Sequence, residues 1–447
     1  MEILIAGGGY VGMYTARRLE RLLRHGEATV TVVDPRGYMT YQPFLAEAAG
    51  GSVEPRHVIA PLPQVLRHTR VLTGKIVSID ADSHQAVFAP ASGPERVLGY
   101  DVLVMAAGSV SRVLPIEGLA EYGAGFKTVS EAVHLRNHVL SQLAAAASAD
   151  DPAITAAALT FVVVGGGFAG VEALAELQGL AREAVRFHPA LDPARLRWIL
   201  VEATGRILPE LDEPLGQWTL RALRRRGVDV RMHTRLASAA RGTVRLDDGT
   251  ELAAGTLVWA AGVRPSPLAT AAGLPADPAG RIQVGADLAV TGVPGVFAAG
   301  DIAAVPDLTR PGHCCPPNAQ HAVRQSKVLA RNIVAYLRDG QLKTYRHAYA
   351  GSVAGLGHHQ GVAQVYRFRL TGLAGWLAHR VYHLFWVPTP GHKARVLADW
   401  TLTLAFRRDT AQLTSLEHPA DDFRDAFPAD CRALGPSTWP TQRTRPR

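Results

Sequence analysis

Cysteine is scarce in this sequence. Its 447 residues include three cysteines, Cys314, Cys315 and Cys431, against 43 glycines. Secreted domains held by disulfides use far more cysteine, so that class is excluded and a reducing, cytoplasmic compartment is expected. His313 precedes Cys314 and Cys315, but no fourth ligand stands at a normal zinc spacing, so we expect no metal site.

Long apolar stretches are also missing. A membrane-spanning helix needs about 18 or more consecutive apolar residues, and the sequence contains no such run. The apolar start, MEILIAGGGYVGM, soon reaches three glycines and has no basic segment before it, which predicts a strand rather than a signal peptide. With 47% hydrophobic residues, the chain can still form the cores of two or three globular domains.

Positive charge is concentrated towards the C-terminal end. Residues 331–447 contain 16 Lys and Arg against 8 Asp and Glu. This excess of 8 positive charges equals the formal net charge of +8 for the whole chain. Such a region favours an acidic partner, an anionic lipid surface or nucleic acid. The sequence has no basic run interleaved with aromatics and no nucleic-acid-binding module, so no nucleic-acid partner is expected.

Two segments repeat the order strand, glycine loop, helix, strand and acid. Each carries the pattern G-x-G-x-x-G, formed by Gly7, Gly9 and Gly12 in the first copy and by Gly165, Gly167 and Gly170 in the second. The pattern permits a tight turn and brings backbone close to a pyrophosphate at a helix N-terminus. Two dinucleotides are therefore implied.

An acidic residue follows each glycine loop. Asp34 lies 22 residues after Gly12, near the spacing of about 20 at which an acid accepts hydrogen bonds from a nucleotide ribose. Glu202 lies 32 residues after Gly170, because the segment RFHPALDPARLR lengthens the connection. A carboxylate at position 202 would repel a 2′-phosphate, which favours NADH over NADPH. Arg206 could soften that preference.

A third pair of matching segments indicates a duplication. YDVLVMAAGS ends near Ala107 and Gly108, and GTLVWAAGVRP ends near Gly262, where small residues let backbone pass close to a bulky group. The two copies are offset by 158, 168 and 154 residues at the first glycine, the acid and the last glycine. This nearly constant register predicts two Rossmann-like domains in an α/β fold.

These features resemble the two-dinucleotide flavoprotein reductases, in which an NAD(P)H-binding domain interrupts an FAD-binding domain. The segment GVFAAGDIAAV is similar to the second flavin motif of that superfamily, whose acid, here Asp301, bonds the FAD ribityl chain. The resemblance implies FAD at the first glycine loop and NADH at the second. Since no cysteine precedes position 314, the dithiol relay of the disulfide reductases is excluded, and adjacent Cys314 and Cys315 disfavour a sulfide:quinone oxidoreductase.

A closer resemblance is to the type II NADH dehydrogenases, which are single-subunit NADH:quinone oxidoreductases. It covers about residues 1–418 and rests on YMTYQPFLAEAAGG, VEATGRILPELDE, PPNAQHAVRQSKVLARNI and the C-terminal region that begins GWLAHRVYHLFWV. Two departures concern Arg324-Gln325, where the family often has two glutamines, and Ala-Ala-Gly, where it often has Ala-Thr-Gly. They leave the subfamily and the quinone preference open.

The resemblance implies that NADH passes a hydride to FAD and that two electrons continue to a membrane quinone, menaquinone or ubiquinone, without proton pumping. The implied FAD-site residues are Gly7, Gly9, Tyr10, Gly12, Asp34, Gln42, Ala107, Gly108, Asp301 and Gln320. The implied NADH-site residues are Gly165, Gly167, Gly170, Glu172, Glu202 and Gly262. The implied catalytic residues are Glu172, Gln320 and His321. Alternative roles are a purely NADH-binding Glu172 and a solvated helix residue at His321.

Two other functions are compatible with the residues. One is a soluble NAD(P)H reductase of the ferredoxin or dye type, and the other is a non-catalytic redox sensor that binds FAD and NADH.

The C-terminal region predicts amphipathic helices. In GWLAHRVYHLFWV, Leu377, Val381 and Phe385 share one side with Leu384, and His379 and Arg380 occupy the other side with His383. With Trp376 and Trp386 near the helix ends and basic residues around them, we expect residues 376–408 to dock on anionic lipid at the cytoplasmic face of the cell membrane. Packing on the protein's own core or in a homodimer is the alternative.

The expected organisation is an FAD domain interrupted by an NADH domain, followed by a C-terminal membrane-docking α+β region. The expected bounds are 1–115 for the first part of the FAD domain, 116–284 for the NADH domain with a leading helix and linker, 285–345 for the second part of the FAD domain, 346–420 for the docking region and 421–447 for a disordered tail.

Overall fold

Two sheets form the framework of the protein, one mixed and one parallel, and a glycine motif follows one strand of each. The computed structural model describes residues 1–240, 242–347 and 351–413. Residues 1–410 form one compact unit. The tail expected at 421–447 lies outside the described residues.

The helices and strands follow in chain order. The first part of the chain contains β1 (Glu2–Ala6), α1 (Tyr10–Leu22), β2 (Thr29–Asp34), β3 (Tyr38–Thr40), α2 (Leu45–Ala49), β4 (Ile59–Pro61), α3 (Leu62–Val65), β5 (Arg70–Asp80), β6 (Gln85–Pro90), β7 (Arg96–Gly99), β8 (Val102–Met105) and β9 (Ser109–Ser111). The middle contains α4 (Leu119–Tyr122), β10 (Gly123–Gly125), α5 (Val129–Ser148), α6 (Pro152–Ala158), β11 (Thr160–Val164), α7 (Phe168–Ala184), β12 (Arg197–Val201), α8 (Glu213–Arg225), β13 (Val228–Arg231), β14 (Leu236–Ala240), β15 (Thr243–Leu246), β16 (Glu251–Ala253), β17 (Thr256–Trp259), β18 (Val263–Pro265) and α9 (Leu268–Ala271). The last part contains β19 (Ile282–Gln283), β20 (Val296–Ala298), β21 (Ala303–Ala304), α10 (Ala319–Leu337), β22 (Gly351–Gly355), β23 (Gly361–Val365), β24 (Phe368–Thr371), α11 (Gly372–Trp386) and α12 (Pro390–Phe406).

The first sheet has the strand order β20-β8-β1-β2-β5-β6-β7. Strand β1 pairs in parallel with β2 and β8, so that Ile3 lies opposite Val30 and Val102. These strands are almost wholly apolar because helices and neighbouring segments cover both faces of the sheet. The chain leaves this sheet after β8 and returns with β20, which pairs in parallel with β8. The expected interruption of one nucleotide-binding domain by another is confirmed.

The second sheet has the order β10-β17-β11-β12-β13 and is parallel throughout. Its central strand β11, TFVVV, is fully buried. Strands β9 and β18 pair in an antiparallel manner with Val110 opposite Arg264, which places the two Ala-Ala-Gly segments side by side. The α/β fold class is therefore confirmed, while the residue bounds of the domains remain predictions.

The C-terminal region combines an antiparallel sheet, β22-β23-β24, with the helices α11 and α12. Helix α11 packs closely on β23, because a Cβ atom at Gly375 would lie 2.3 Å from the carbonyl oxygen of Gly361. In the part of the chain that the structure describes, no helix is long and apolar enough to cross a membrane.

Helix α11 turns its polar side inwards. Val381 and Phe385 are 67% and 70% exposed, whereas His379 and Arg380 are buried. The expected division of the helix into two sides is confirmed. The expectation that Trp376 lies at a membrane interface is wrong, since this side chain is 7% exposed and its ring packs against the Arg380 guanidinium.

Candidate functional site

The first glycine loop joins β1 to α1 and leaves room for a ligand. Gly7 has φ +112°, and a Cβ atom there would lie 2.5 Å from the carbonyl oxygen of Ala106. A Cβ atom at Gly12 would lie 1.8 Å from the carbonyl oxygen of Gly7, so helix and turn touch without side chains between them. Gly9 precedes α1 without a side-chain cap and has open space around its Cβ position. The first amides of α1 are thus available to phosphate oxygens.

The second loop, between β11 and α7, repeats this geometry. Gly165 has φ +116°, and a Cβ atom there would lie 2.5 Å from the carbonyl oxygen of Ala260. A Cβ atom at Gly170 would lie 2.0 Å from the carbonyl oxygen of Gly165, and Gly167 is an open, uncapped helix start. Both loops therefore form cradles of the shape that a dinucleotide pyrophosphate requires.

The two acids occupy equivalent positions. The Asp34 carboxylate accepts hydrogen bonds from the amides of Gly8 at 2.9 Å and Arg36 at 2.9 Å. The Glu202 carboxylate accepts from the amide of Gly166 at 2.6 Å and from the amide and hydroxyl of Thr204, both at 2.8 Å. Short 3₁₀ turns between α7 and β12 account for the longer spacing before Glu202.

A cavity of about 430 Å³ opens next to Thr204, which donates to Glu202. Its lining includes Thr204, Arg206, Gln217 and Leu220. The Arg206 guanidinium is turned away from Glu202 in a hydrogen bond to the Leu211 carbonyl. This arrangement leaves Glu202 as the charged group next to the second glycine loop.

Asp301 lies between the starts of α1 and α10. The amide of Gly300, at φ +75°, donates to the Gln325 side-chain oxygen at 2.7 Å, and a Cβ atom at Gly300 would lie 2.7 Å from Val11. The Asp301 carboxylate accepts from the Ser109 hydroxyl at 2.6 Å. Ser109 in turn follows the first Ala-Ala-Gly segment, so this segment, the first glycine loop and Asp301 come together as expected for one binding site.

The predicted cofactor residues Tyr10, Gln42, Gly108 and Gly262 lie near these loops. Burial raises the pKa of Tyr10 well above its usual value, and Asp301 is among the charges that act on it. The Gln42 side chain donates to the carbonyl of Lys127 at 3.5 Å. Gly108 and Gly262 both have positive φ and open space at the Cβ position.

The first turn of α10 is held by side-chain bonds. Asn318 caps the helix by accepting the His321 amide at 2.8 Å. The Gln320 side chain donates to the Gly351 carbonyl at 2.8 Å and accepts from Arg324 at 3.0 Å. Arg324 also bonds His347, whose pKa is lowered to about 4 by burial and by that guanidinium. Gln320 therefore lies in an ordered polar environment next to β22.

His321 is buried instead of solvated. Its Nδ1 atom lies 2.8 Å from the Tyr345 hydroxyl. Burial lowers the pKa of the imidazole, which keeps the ring neutral at pH 7. The alternative in which this histidine is a solvated helix residue is wrong.

Glu172 lies where α7 meets the C-terminal region. Its carboxylate accepts from the Gly355 amide at 2.8 Å and lies 3.4 Å from Nε2 of His379 on α11. A cavity of about 10 Å³, enough for one water, lies between Glu172, His379, Glu47 and Glu176.

A buried charge cluster next to Glu172 escaped the sequence analysis. Glu47 accepts from the indole of Trp400 at 2.6 Å and from Arg380 at 3.4 Å, and Arg408 lies 2.6 Å from the Glu176 carboxylate. Burial raises the pKa of Glu47, and Arg380 opposes this rise. The available signal was an isolated acid inside each of two apolar stretches, LAEAA and ALAELQ.

The comparisons with known proteins agree with this geometry. The profile of the pyridine nucleotide-disulphide oxidoreductase family matches residues 1–326. Type II NADH:quinone oxidoreductase Ndh of Mycobacterium tuberculosis is 30% identical over 429 residues, which cover 92% of this chain and 90% of that protein. The chain belongs to the type II NADH:quinone oxidoreductases.

Two further relatives match over most of their length. The type II NADH:quinone oxidoreductase of Staphylococcus aureus is 30% identical over 381 residues, covering 83% of this chain and 91% of that protein. The structure of NDH2 from Plasmodium falciparum in complex with NADH superposes with a TM-score of 0.85 at 18% identity and covers 92% of this chain and 99% of that one. The predicted family, the use of FAD and NADH and the enzymatic transfer of electrons from NADH to a quinone are confirmed. The soluble reductase and the redox sensor are disfavoured.

Proposed function

We propose that FAD binds along the first glycine loop, Asp34 and Asp301, and that NADH binds along the second loop and Glu202. The support is the pair of glycine cradles that side chains would fill and the two equivalent carboxylates behind them. The chemistry that FAD would supply there is acceptance of a hydride from NADH and transfer of two electrons to a quinone, whose reduction also needs two protons. Gly7 and Gly165 allow the close approach of backbone that each nucleotide needs.

The quinone is proposed to contact Gln320. Its carboxamide is fixed by Arg324 and by the Gly351 carbonyl, which leaves one amide N–H for a ligand oxygen. Because this side chain is already ordered, binding an acceptor costs little further side-chain conformational entropy. The amides of the first turn of α10, after Asn318, would stabilise negative charge that develops on the flavin.

Two groups are proposed to supply protons for quinone reduction. Glu172 lies 3.4 Å from His379, and both face the small cavity between the NADH domain and α11. His321, neutral and bonded to Tyr345, would serve as a second proton carrier behind Gln320.

Peripheral attachment to an anionic lipid surface, at the cytoplasmic face, is proposed for the C-terminal helices. Helix α11 carries this proposal, because its apolar side is exposed while its polar side packs against buried acids. Helix α12 continues the exposed apolar side through Leu402, Leu404 and Phe406. Lys393 and Arg395 supply positive charge near anionic headgroups.

The test replaces Phe385 and Phe406 with aspartate in the full-length protein. Each phenylalanine that no longer enters the lipid costs about 2 kcal/mol, so vesicle affinity should fall by roughly a thousandfold. Binding is measured by co-sedimentation with phosphatidylglycerol vesicles, and turnover is measured with menaquinone and ubiquinone in those vesicles and with soluble ferricyanide. We expect quinone turnover to collapse and ferricyanide reduction to persist.

The matched control is Phe187→Asp, which removes a phenylalanine that is 66% exposed in the NADH domain. It should leave vesicle binding unchanged. If the double variant on the C-terminal helices binds vesicles as tightly as this control, the docking proposal is wrong.

A further inference from the structure

A lysine that the sequence motifs did not identify lies beside Asp301. The Lys127 ammonium donates to the Ser109 hydroxyl at 2.9 Å, and the Ser109 hydroxyl donates to the Asp301 carboxylate at 2.6 Å. A hydroxyl has a single proton, so the direction of this chain is fixed once Ser109 donates to the carboxylate. Ser109 must then accept its second bond from a charged lysine.

The backbone holds Lys127 in place. Lys127 precedes Thr128, the N-cap of α5, where the Glu131 side chain forms a capping box with Thr128. The same Glu131 carboxylate accepts the Lys127 amide at 2.8 Å. Glu131 is therefore occupied with backbone groups, and the lysine side chain extends towards Ser109 instead.

The charge on Lys127 is only partly compensated. Among the described residues its ammonium has one hydrogen-bond partner, Ser109, which uses one of its three donors. The charged groups that act on it are Asp301, Glu131 and Arg36. Burial lowers the pKa of Lys127, and Asp301 and Glu131 oppose this effect. A partly buried ammonium with spare donors is suited to an additional anionic partner.

We propose that Lys127 is a positioning residue of the flavin site, which orients Asp301 through Ser109 and supplies a fixed positive charge that favours the reduced cofactor. The inference rests on the proposed binding of FAD at Asp301. A hydride adds two electrons and one proton, so reduction adds one negative charge at neutral pH. A nearby cation favours the state with the extra charge, and Ser109 keeps one Asp301 oxygen occupied so that the other can accept from the cofactor.

The test measures the midpoint potential of the bound flavin in K127M, by equilibration with a reference dye in the absence of NADH and quinone. We expect the preference of the site for reduced over oxidised flavin to fall about tenfold, which lowers the potential by about 30 mV for a two-electron couple. K127R keeps the charge and should restore most of the potential. The control K75M removes an exposed lysine on β5 and should leave the potential unchanged.

Three results would overturn the proposal. The first is an unchanged potential in FAD-loaded K127M. The second is a potential that falls as far in K127R as in K127M. Because arginine keeps the charge, this result would show that only the packing of the lysine side chain matters. The third is a folded K127M that retains no FAD while K127R retains it. This result would show that the positive charge is needed to bind FAD and not to favour its reduced form.

Asp301→Asn separates this inference from the site assignment on which it rests. Loss of FAD from the folded variant supports binding at Asp301, and full retention with an unchanged flavin spectrum would contradict the assignment. The potential of K127M addresses the lysine alone.

Discussion

Replacing Arg408 with methionine should destabilise the protein by about 3–5 kcal/mol, because it leaves a buried carboxylate without its cation. The Arg408 side chain is 8% exposed and lies 2.6 Å from the Glu176 carboxylate, and it donates to the Gly50 carbonyl at 2.9 Å. With charge centres about 4 Å apart and an effective dielectric constant of about 20, the attraction is about 4 kcal/mol. The site is built for this side chain, since a Cβ atom at Gly50 would lie 2.7 Å from Nη1 of Arg408.

The assay is thermal unfolding of Arg408→Met, Glu176→Gln and the double variant. For the unit of residues 1–410 the entropy of unfolding is about 0.9 kcal/mol/K, so a loss of about 3–5 kcal/mol lowers the midpoint by roughly 3–6 °C. The double variant should be more stable than the sum of the two losses predicts, with a coupling of about 2–3 kcal/mol, because neutral glutamine no longer needs the cation.

Arg407 provides the matched control. It is the preceding residue, its side chain is 66% exposed, and it lies 3.5 Å from Glu183. Arg407→Met should cost no more than about 1 kcal/mol, as surface ion pairs contribute little. Equal losses for Arg407→Met and Arg408→Met would refute the reasoning from burial.

Three further predictions concern the nucleotide loops, the quinone and pH. Gly165→Ala should raise the KM for NADH at least tenfold and leave the FAD content unchanged, whereas Gly7→Ala should lower the FAD content. Each substitution places a Cβ atom 2.5 Å from a carbonyl oxygen, at a residue with positive φ. The reverse pattern in FAD content and NADH kinetics would show that the two sites are exchanged. Gln320→Ala should raise the KM for quinone about tenfold and leave stopped-flow reduction of the flavin by NADH unchanged, and slower flavin reduction would assign Gln320 to the other half-reaction. Burial holds the pKa of His383 well below 6.5, so the unfolded chain binds a proton at this residue more readily than the folded chain. The stability that the neutral, buried ring contributes is complete above pH 6.5. It is lost as the pH falls below that value, by up to about 1.4 kcal/mol per pH unit. His383→Gln should flatten the decline of the urea midpoint between pH 6.5 and 5. An unchanged slope would show that the protonation of His383 does not cause this decline.

The geometry of the two glycine loops was predictable because it depends largely on residues close together in the chain, while nucleotide binding there stays a proposal. Gly7 and Gly165 are required by turns that only a few neighbouring residues define. Asp34 ends β2 and Glu202 directly follows β12, so parallel pairing brings each carboxylate back to its own glycine loop. Sequence spacing indicated Asp34, whereas Glu202 was indicated by its position after the matching strand.

The buried charges were not predictable in the same way. Glu47 and Arg380 are 333 residues apart, and only the packing of α2 against the C-terminal helices brings them together. The connection between Lys127 and Asp301 runs through Ser109, which is 18 residues from the lysine and 192 from the acid in sequence, and no motif records it. Periodicity divided α11 into two sides correctly, but it could not show that the polar side faces inwards, because the acids that receive it come from other parts of the chain.

Helix α11 links the proposed membrane-docking surface to the nucleotide domains. Glu47 lies on α2 and Glu176 on α7, and their cations are Arg380 on α11 and Arg408, two residues after the end of α12. Removing α11, α12 and the residues after them would remove both cations and expose both acids, so a truncated protein would lose these ion pairs and their packing as well as the proposed lipid contact. Substitutions on the exposed side of α11 and α12 leave the buried ion pairs intact. They therefore test the proposed attachment to the membrane without disturbing the buried ion pairs next to Glu172.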